Sequence, residues 1–214
     1  MSKKSLSLGM IPREIAPIII KLRNQFPVIS LTGPRQSGKT TILRYIYDDL
    51  PYVSLEEIDI RNSALNDPRG FLKNFPLGAV LDEVQRTPDL FSYIQGIVDA
   101  NREAHFVLSG SSNFLLLQNI SQSLAGRAAI LKLLPFSMSE LEGRVIDDSS
   151  YEQLIYKGLY PGLYDRGIDP AHFYPSYIST YIERDVRQIK NIDDLTRFSN
   201  FLQLCAGRVG QILN

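Results

Sequence analysis

Between residues 28 and 50 the hydrophobic period of the chain changes, and a single loop separates the two regimes. Val28-Ile29-Ser30-Leu31 is a short apolar run of strand type. From Ile42 onward, Ile42, Leu43, Ile46, Tyr47 and Leu50 recur at the spacing of one helix face. Between them stands Gly33-Pro34-Arg35-Gln36-Ser37-Gly38-Lys39-Thr40, a G-x-x-x-x-G-K-T. A helix start leaves amide N–H groups unpaired and carries a partial positive charge. Glycines at 33 and 38 let the backbone curl until several N–H groups face one phosphate. Lys39 adds a mobile cation for the β- and γ-phosphates, and the Thr40 hydroxyl suits magnesium. The binding segment is read as Gly33 to Thr41, with Arg35 and Gln36 as solvated loop residues.

The rest of the chain supplies the sheet that such a loop requires. A short helix is expected over 12–25. Strands are expected at 52–55, at 78–82, at 106–108 and at 128–133, with helical patterns over 61–75, after Thr87-Pro88 with Thr87 as N-cap and Pro88 at the first position, and over 113–125 with a turn. Strands alternating with helices predict an α/β core, a five-stranded parallel sheet flanked by helices. Room remains for one strand inserted between the loop strand and the strand ending in Asp82. The polar stretch 143–150 reads as a linker. Beyond it strand signals vanish. Phe173, Tyr177 and Tyr181 share one stripe; Ile178, Ile182, Val186 and Ile189 share the next; Leu195, Phe198, Leu202 and Cys205 mark another helix. The expected organisation is a core over 1–142, a small helical lid over 143–206, and the start of a further segment over 207–214.

Holding a nucleotide needs only the loop, whereas cutting it also needs an acid near the metal and a group that activates water. Gly78-Ala79-Val80-Leu81-Asp82-Glu83 provides both. Asp82 ends an apolar strand and is the expected magnesium partner beside Thr40, directly or through water. Glu83 is the expected general base. Ser109 and Ser111 end the fourth strand, at the edge that carries the loop, and either hydroxyl suits the attacking water or the γ-phosphate. Arg127, just before the fifth strand, is the expected arginine for transition-state charge, acting within the chain.

Composition removes other chemistries. One cysteine rules out an internal disulfide, and with two histidines it falls short of the usual zinc ligand sets. Cys205, among Leu202, Leu204 and Ala206, reads as a buried and inert thiol. Lys plus Arg equals Asp plus Glu, 23 each, so net charge argues for neither nucleic acid nor an anionic membrane. No stretch approaches the ~20 apolar residues of a membrane span. No signal-peptide core precedes Met10. The chain reads as cytoplasmic.

The motifs TGPRQSGKTTIL, AVLDEVQRTPDLF, VLSGSSNFLL, LAGR, LLPFSMSEL and TYIERDV, taken in order, resemble the prokaryotic predicted ATPases of the AAA+ superfamily that carry an uncharacterised C-terminal domain. The resemblance implies an ATP-binding core, Mg2+ as its partner, and a helical lid. It also implies a chain that runs on past residue 214, so that this one looks truncated, with any protein or DNA partner met through the missing part. Monomer and homo-oligomer both stay open. The first reading is a Mg2+-dependent ATPase. The alternative is a nucleotide-gated protein- or DNA-binding switch with little turnover. A small-molecule kinase fits less well, because Asp82-Glu83 suits water activation.

Overall fold

The structure is a computed structural model that describes residues 11–111, 120, 122–142, 151–184 and 195–211. The linker over 143–150, positions Val186 and Ile189, and most of the helix and turn expected over 113–125 lie outside them.

Five strands form one sheet: β1 (Val28–Gly33), β2 (Tyr52–Ser54), β3 (Val80–Asp82), β4 (Phe106–Ser111) and β5 (Ala128–Lys132). Their order is β2-β3-β4-β1-β5 and every pairing is parallel. The strand inserted between β1 and β3 is therefore β4, while β2 lies at the edge. Side chains alternate across the sheet. Val28, Leu81, Phe106 and Leu108 belong to one buried cluster; Ile29, Leu31, Val80 and Val107 belong to the other. Burial on both faces explains why the inner strands β1, β3 and β4 read as continuous apolar runs.

The first cluster is closed by α3 (Ile58–Asn66), α4 (Pro68–Lys73) and α5 (Leu90–Ala100). The second is closed by α1 (Ala16–Arg23) and α2 (Lys39–Ile46), through Ile19, Ile42, Leu43 and Tyr47. Three helix boundaries differ from the sequence reading. Helix α1 starts later than residue 12, with Pro17 in its first turn, where a missing N–H costs nothing. The single helix expected over 61–75 is split, because Pro68 forces Asp67 out of helical geometry to φ −141°. Asp67 then caps α4, accepting from the Gly70 N–H at 2.8 Å. Thr87 does not cap α5: its hydroxyl donates back to the Val84 carbonyl at 3.2 Å, closing the 3-10 turn Val84–Arg86.

Beyond β5 the described elements are helical: α6 (Met138–Leu141), α7 (Tyr151–Lys157), α8 (Pro161–Asp165), α9 (Pro170–Arg184) and α10 (Leu195–Ala206). Tyr160, Phe173 and Tyr177 pack ring on ring where α8 and α9 meet. Helix α10 buries none of its residues, so Cys205 is half-buried rather than buried as expected.

Candidate nucleotide-binding site

In a parallel sheet all carboxyl ends lie along one edge, and ligands bind in the crevice outside it. Here that edge is aligned residue by residue. Asp82 pairs with Ser109 across β3 and β4, and Gly33 pairs with Ser111 across β4 and β1. The insertion of β4 sets Ser109 between the acid and the loop.

The loop has the backbone its sequence demands. Gly38 is left-handed at φ +93° and opens α2, while Gln36 is left-handed at φ +60°. Gly33 lies at φ +152°, and a Cβ there would meet the Leu133 carbonyl oxygen at 2.0 Å. Glycine is required at 33 by space as much as by conformation. Lys39 is buried, and its ammonium donates to the Gly33 and Pro34 carbonyls at 2.9 Å each. Ser37 is buried, Pro34 and Arg35 are half-buried, and Gln36, Thr40 and Thr41 are exposed.

Asp82 is the centre of the acidic side. Its Oδ2 accepts from the Thr40 hydroxyl at 3.0 Å and from the Tyr52 hydroxyl. Its Oδ1 accepts from the Ser109 hydroxyl and from the Glu83 N–H at 3.1 Å. A carboxylate offers about four lone-pair positions, and four donors meet them here. Tyr52 pairs with Val80, two residues from Asp82 on the same face of the sheet. Burial first, and then the bond to Asp82, raise the Tyr52 phenol above its ordinary range. The Arg44 guanidinium lies 4.0 Å from the centre of the Tyr52 ring.

Glu83 follows Asp82 in a left-handed conformation, φ +57° and ψ +39°. A non-glycine residue there stores on the order of 1–3 kcal/mol of strain, which the surrounding structure must hold. The Gln85 amide donates to Glu83 Oε2 at 2.6 Å and fixes the carboxylate.

The structure thus brings together Lys39, Thr40, Asp82, Glu83, Ser109 and Ser111. It does not bring Arg127 to them, and the expectation that Arg127 acts within the chain is corrected here. The Arg127 carbonyl accepts from the Val28 N–H, at the opposite end of β1 from Gly33. Six residues of β1 separate the two ends, about 16 Å at strand rise. The guanidinium is engaged by Asp99 on α5, at 2.6 and 2.8 Å. That hydrogen bond holds the exposed Asp99 carboxyl below its ordinary range. Residues just before a parallel strand lie at its amino end, away from the crevice.

Two further parts escaped the sequence reading. Tyr52 sits at the start of an edge strand, and its reach to Asp82 depends on register, which no local pattern reveals. Arg13, in the turn before α1, donates to the Ser37 carbonyl of the loop at 2.8 Å.

A parallel sheet in this order, with a glycine loop leading from β1 into α2 and an acid ending β3, defines a P-loop nucleoside triphosphatase fold. Within that class the chain belongs to the AAA-domain family, whose pattern residues 25–142 match. Residues 148–214 match a domain of unknown function, DUF8612. An uncharacterized protein of Mycobacterium bovis and one of Mycobacterium tuberculosis are each 33% identical over 181 residues, 83% of this chain and 40% of theirs. The chain therefore spans two fifths of the length of these relatives. Among solved structures, the Walker-type ATPase PABY2304 of Pyrococcus abyssi superposes with a TM-score of 0.55 at 16% identity, covering 88% of this chain and 77% of that one. At that identity the likeness concerns the fold alone.

Proposed function

We propose that the chain binds ATP with Mg2+ and hydrolyses it to ADP and phosphate. The observation that carries this is the bond from Thr40, on the helix that opens the loop, to Asp82 at the end of β3. A hydroxyl that gives its proton to a carboxylate keeps its lone pairs for a cation. Thr40 and Asp82 are hard oxygen donors, and Mg2+ is bound by few protein groups together with phosphate oxygens and water. The donor set fits. With its acceptor positions already met, Asp82 would act on the ion through the Thr40 hydroxyl that it orients. Held near Thr40 and Asp82, Mg2+ would supply positive charge against the negative charge that develops on the phosphate oxygens.

Lys39 would leave the Gly33 and Pro34 carbonyls and donate to the β- and γ-phosphates. Glu83, oriented by Gln85, would take the proton of the attacking water. Ser109 would hold Asp82, and Ser111 would face the water or the γ-phosphate. The preference for adenine rests on family membership. Helices α7 to α10 would act as a lid whose motion hydrolysis drives. Among the described residues no helix is long and apolar enough to cross a membrane.

One observation favours the second reading, a nucleotide-gated switch with slow turnover that recruits protein or DNA. Arg127 is held by Asp99 away from the crevice, so its charge is not available there within one chain. Steady-state phosphate release with ATP and with GTP separates the two readings. Glu83→Gln should retain ATP binding and lose ~10²–10⁴ in rate, while Lys39→Ala should lose binding. Parental turnover in Glu83→Gln would remove the base from Glu83. Tight ATP binding by a parent that releases no phosphate would put the switch ahead of the ATPase.

A further inference from the structure

We propose that Arg13 is a positioning residue for the phosphate loop: by holding the Ser37 carbonyl it turns the Gly38 N–H toward the nucleotide phosphates, and Glu140 holds Arg13 in place. The inference rests on the reading of the loop as a nucleotide site. Arg13 lies 24 positions before Ser37, outside the motif. Its side chain and that of Glu140 are 10% and 5% exposed.

Every edge of the guanidinium is used. Nη1 donates to the Ser37 carbonyl at 2.8 Å. Nη2 donates to the Leu134 and Pro135 carbonyls at 2.7 and 3.2 Å. Nε donates to both oxygens of Glu140 at 3.1 Å. The plane lies over the Phe136 ring, 4.8 Å from its centre. A rigid fork bound at three edges has one orientation.

A trans peptide points its C=O and its N–H in opposite directions. Capturing the Ser37 carbonyl therefore sets the direction of the Gly38 N–H, away from Arg13. Gly38 is the left-handed residue at which the loop enters α2, and a Cβ built there would lie 3.5 Å from Arg13 Nη1. Ser37 does not hold this peptide through its side chain, since its buried hydroxyl has no hydrogen-bond partner among the described residues. Its main-chain carbonyl is the handle.

Glu140 is itself anchored. It accepts from the Ser137 N–H at 3.0 Å in the capping box of α6, and from the Glu14 N–H at 2.7 Å. The segment that Nη2 grips also leads to the helical part: the Phe136 N–H donates to the Leu159 carbonyl at 2.9 Å. Arg13 thus ties the loop to the connection that carries the helices.

The test uses the full chain and ADP as probe. Arg13→Lys keeps the charge and loses the fork; Glu140→Gln keeps the shape and loses the anchor. Arg13→Lys should bind ADP about 10- to 100-fold more weakly in calorimetry, the loss of one hydrogen bond to a charged group. On ADP addition the Gly38 amide proton should move strongly downfield in the parent and much less in Arg13→Lys. A merely structural bridge would lower the melting temperature without selectively abolishing that shift. Glu140→Gln should move both readouts in the same direction, and the double variant should be no worse than Arg13→Lys alone. Should Arg13→Lys fail to fold, Glu140→Gln carries the same two readouts. Parental ADP affinity with an intact Gly38 shift in a folded variant overturns the positioning role. A parent that binds neither ADP nor ATP overturns the nucleotide reading itself, and this inference with it.

Discussion

Asp82→Asn isolates what the carboxylate does for its neighbours. Asparagine offers one acceptor oxygen and one donor group where Asp82 accepts four hydrogen bonds. The Glu83 N–H can only donate, so it claims the amide oxygen, together with Ser109. The NH2 group then faces Thr40 and Tyr52, whose hydroxyls must turn and accept. No donor is left facing a donor, so the fold survives. Each bond loses its charge, and the difference between a charged and a neutral bond is about 1 kcal/mol. Four bonds to one group do not add fully, so the expected loss is about 2–3 kcal/mol. At ~2–4 °C per kcal/mol for a chain of this size, the melting temperature should fall by roughly 4–12 °C. The functional consequence is sharper. Once Thr40 accepts from the amide, its own proton points into the place where a cation needs a lone pair. ATP affinity without Mg2+ should stay near parental, because Lys39 and the loop are untouched, while the tightening by Mg2+ should vanish. Calorimetric titration with Mg2+ and with a chelator, beside a thermal melt, measures both. A variant that binds ATP with the parental Mg2+ enhancement would refute the role given to the Thr40–Asp82 bond.

Arg127→Ala should leave ATP affinity and phosphate release unchanged in a monomer, because the side chain engages Asp99 at the far end of the sheet. A fall of tenfold or more in turnover would point to action in a neighbouring subunit, and restored activity on mixing with Lys39→Ala would establish it. Gly33→Ala should cost about 2–5 kcal/mol in denaturant unfolding, from the left-handed strain and the contact with the Leu133 carbonyl together; an unchanged midpoint would contradict the geometry of the loop. Burial pushes the Tyr47 phenol up to about 12. The unfolded chain then ionises first, at an ordinary value of about 10. The stability tied to the neutral phenol is whole below about pH 10 and is lost as pH rises toward about 12. Tyr47→Phe should flatten that alkaline loss and leave neutral stability equal or up to ~1 kcal/mol higher, since the buried hydroxyl has no partner among the described residues. Matching alkaline unfolding curves for parent and variant would count against it.

Local chemistry alone determined the loop, the strands and the two acids. A G-x-x-x-x-G-K-T between an apolar run and a helical period leaves few alternatives, because each residue acts on its own neighbours in the chain. The apolar strands are legible for the same reason: a parallel sheet buried on both faces needs no polar alternation. The halved helix at Pro68 was readable in principle from the proline, yet the period of its flanks concealed it. What only the tertiary structure decided is how separate segments meet. Strand order put β4, and with it Ser109, between the loop and the acid. Register brought Tyr52 to Asp82 from an edge strand. Chain direction took Arg127 to the amino end of the sheet, where Asp99 holds it. Arg13 reaches the loop from a turn 24 residues away, and its partner Glu140 lies 127 residues from it. Periodicity and local propensity describe contacts a few residues apart. Contacts across such separations depend on the packing of the whole sheet, which no short stretch of sequence contains.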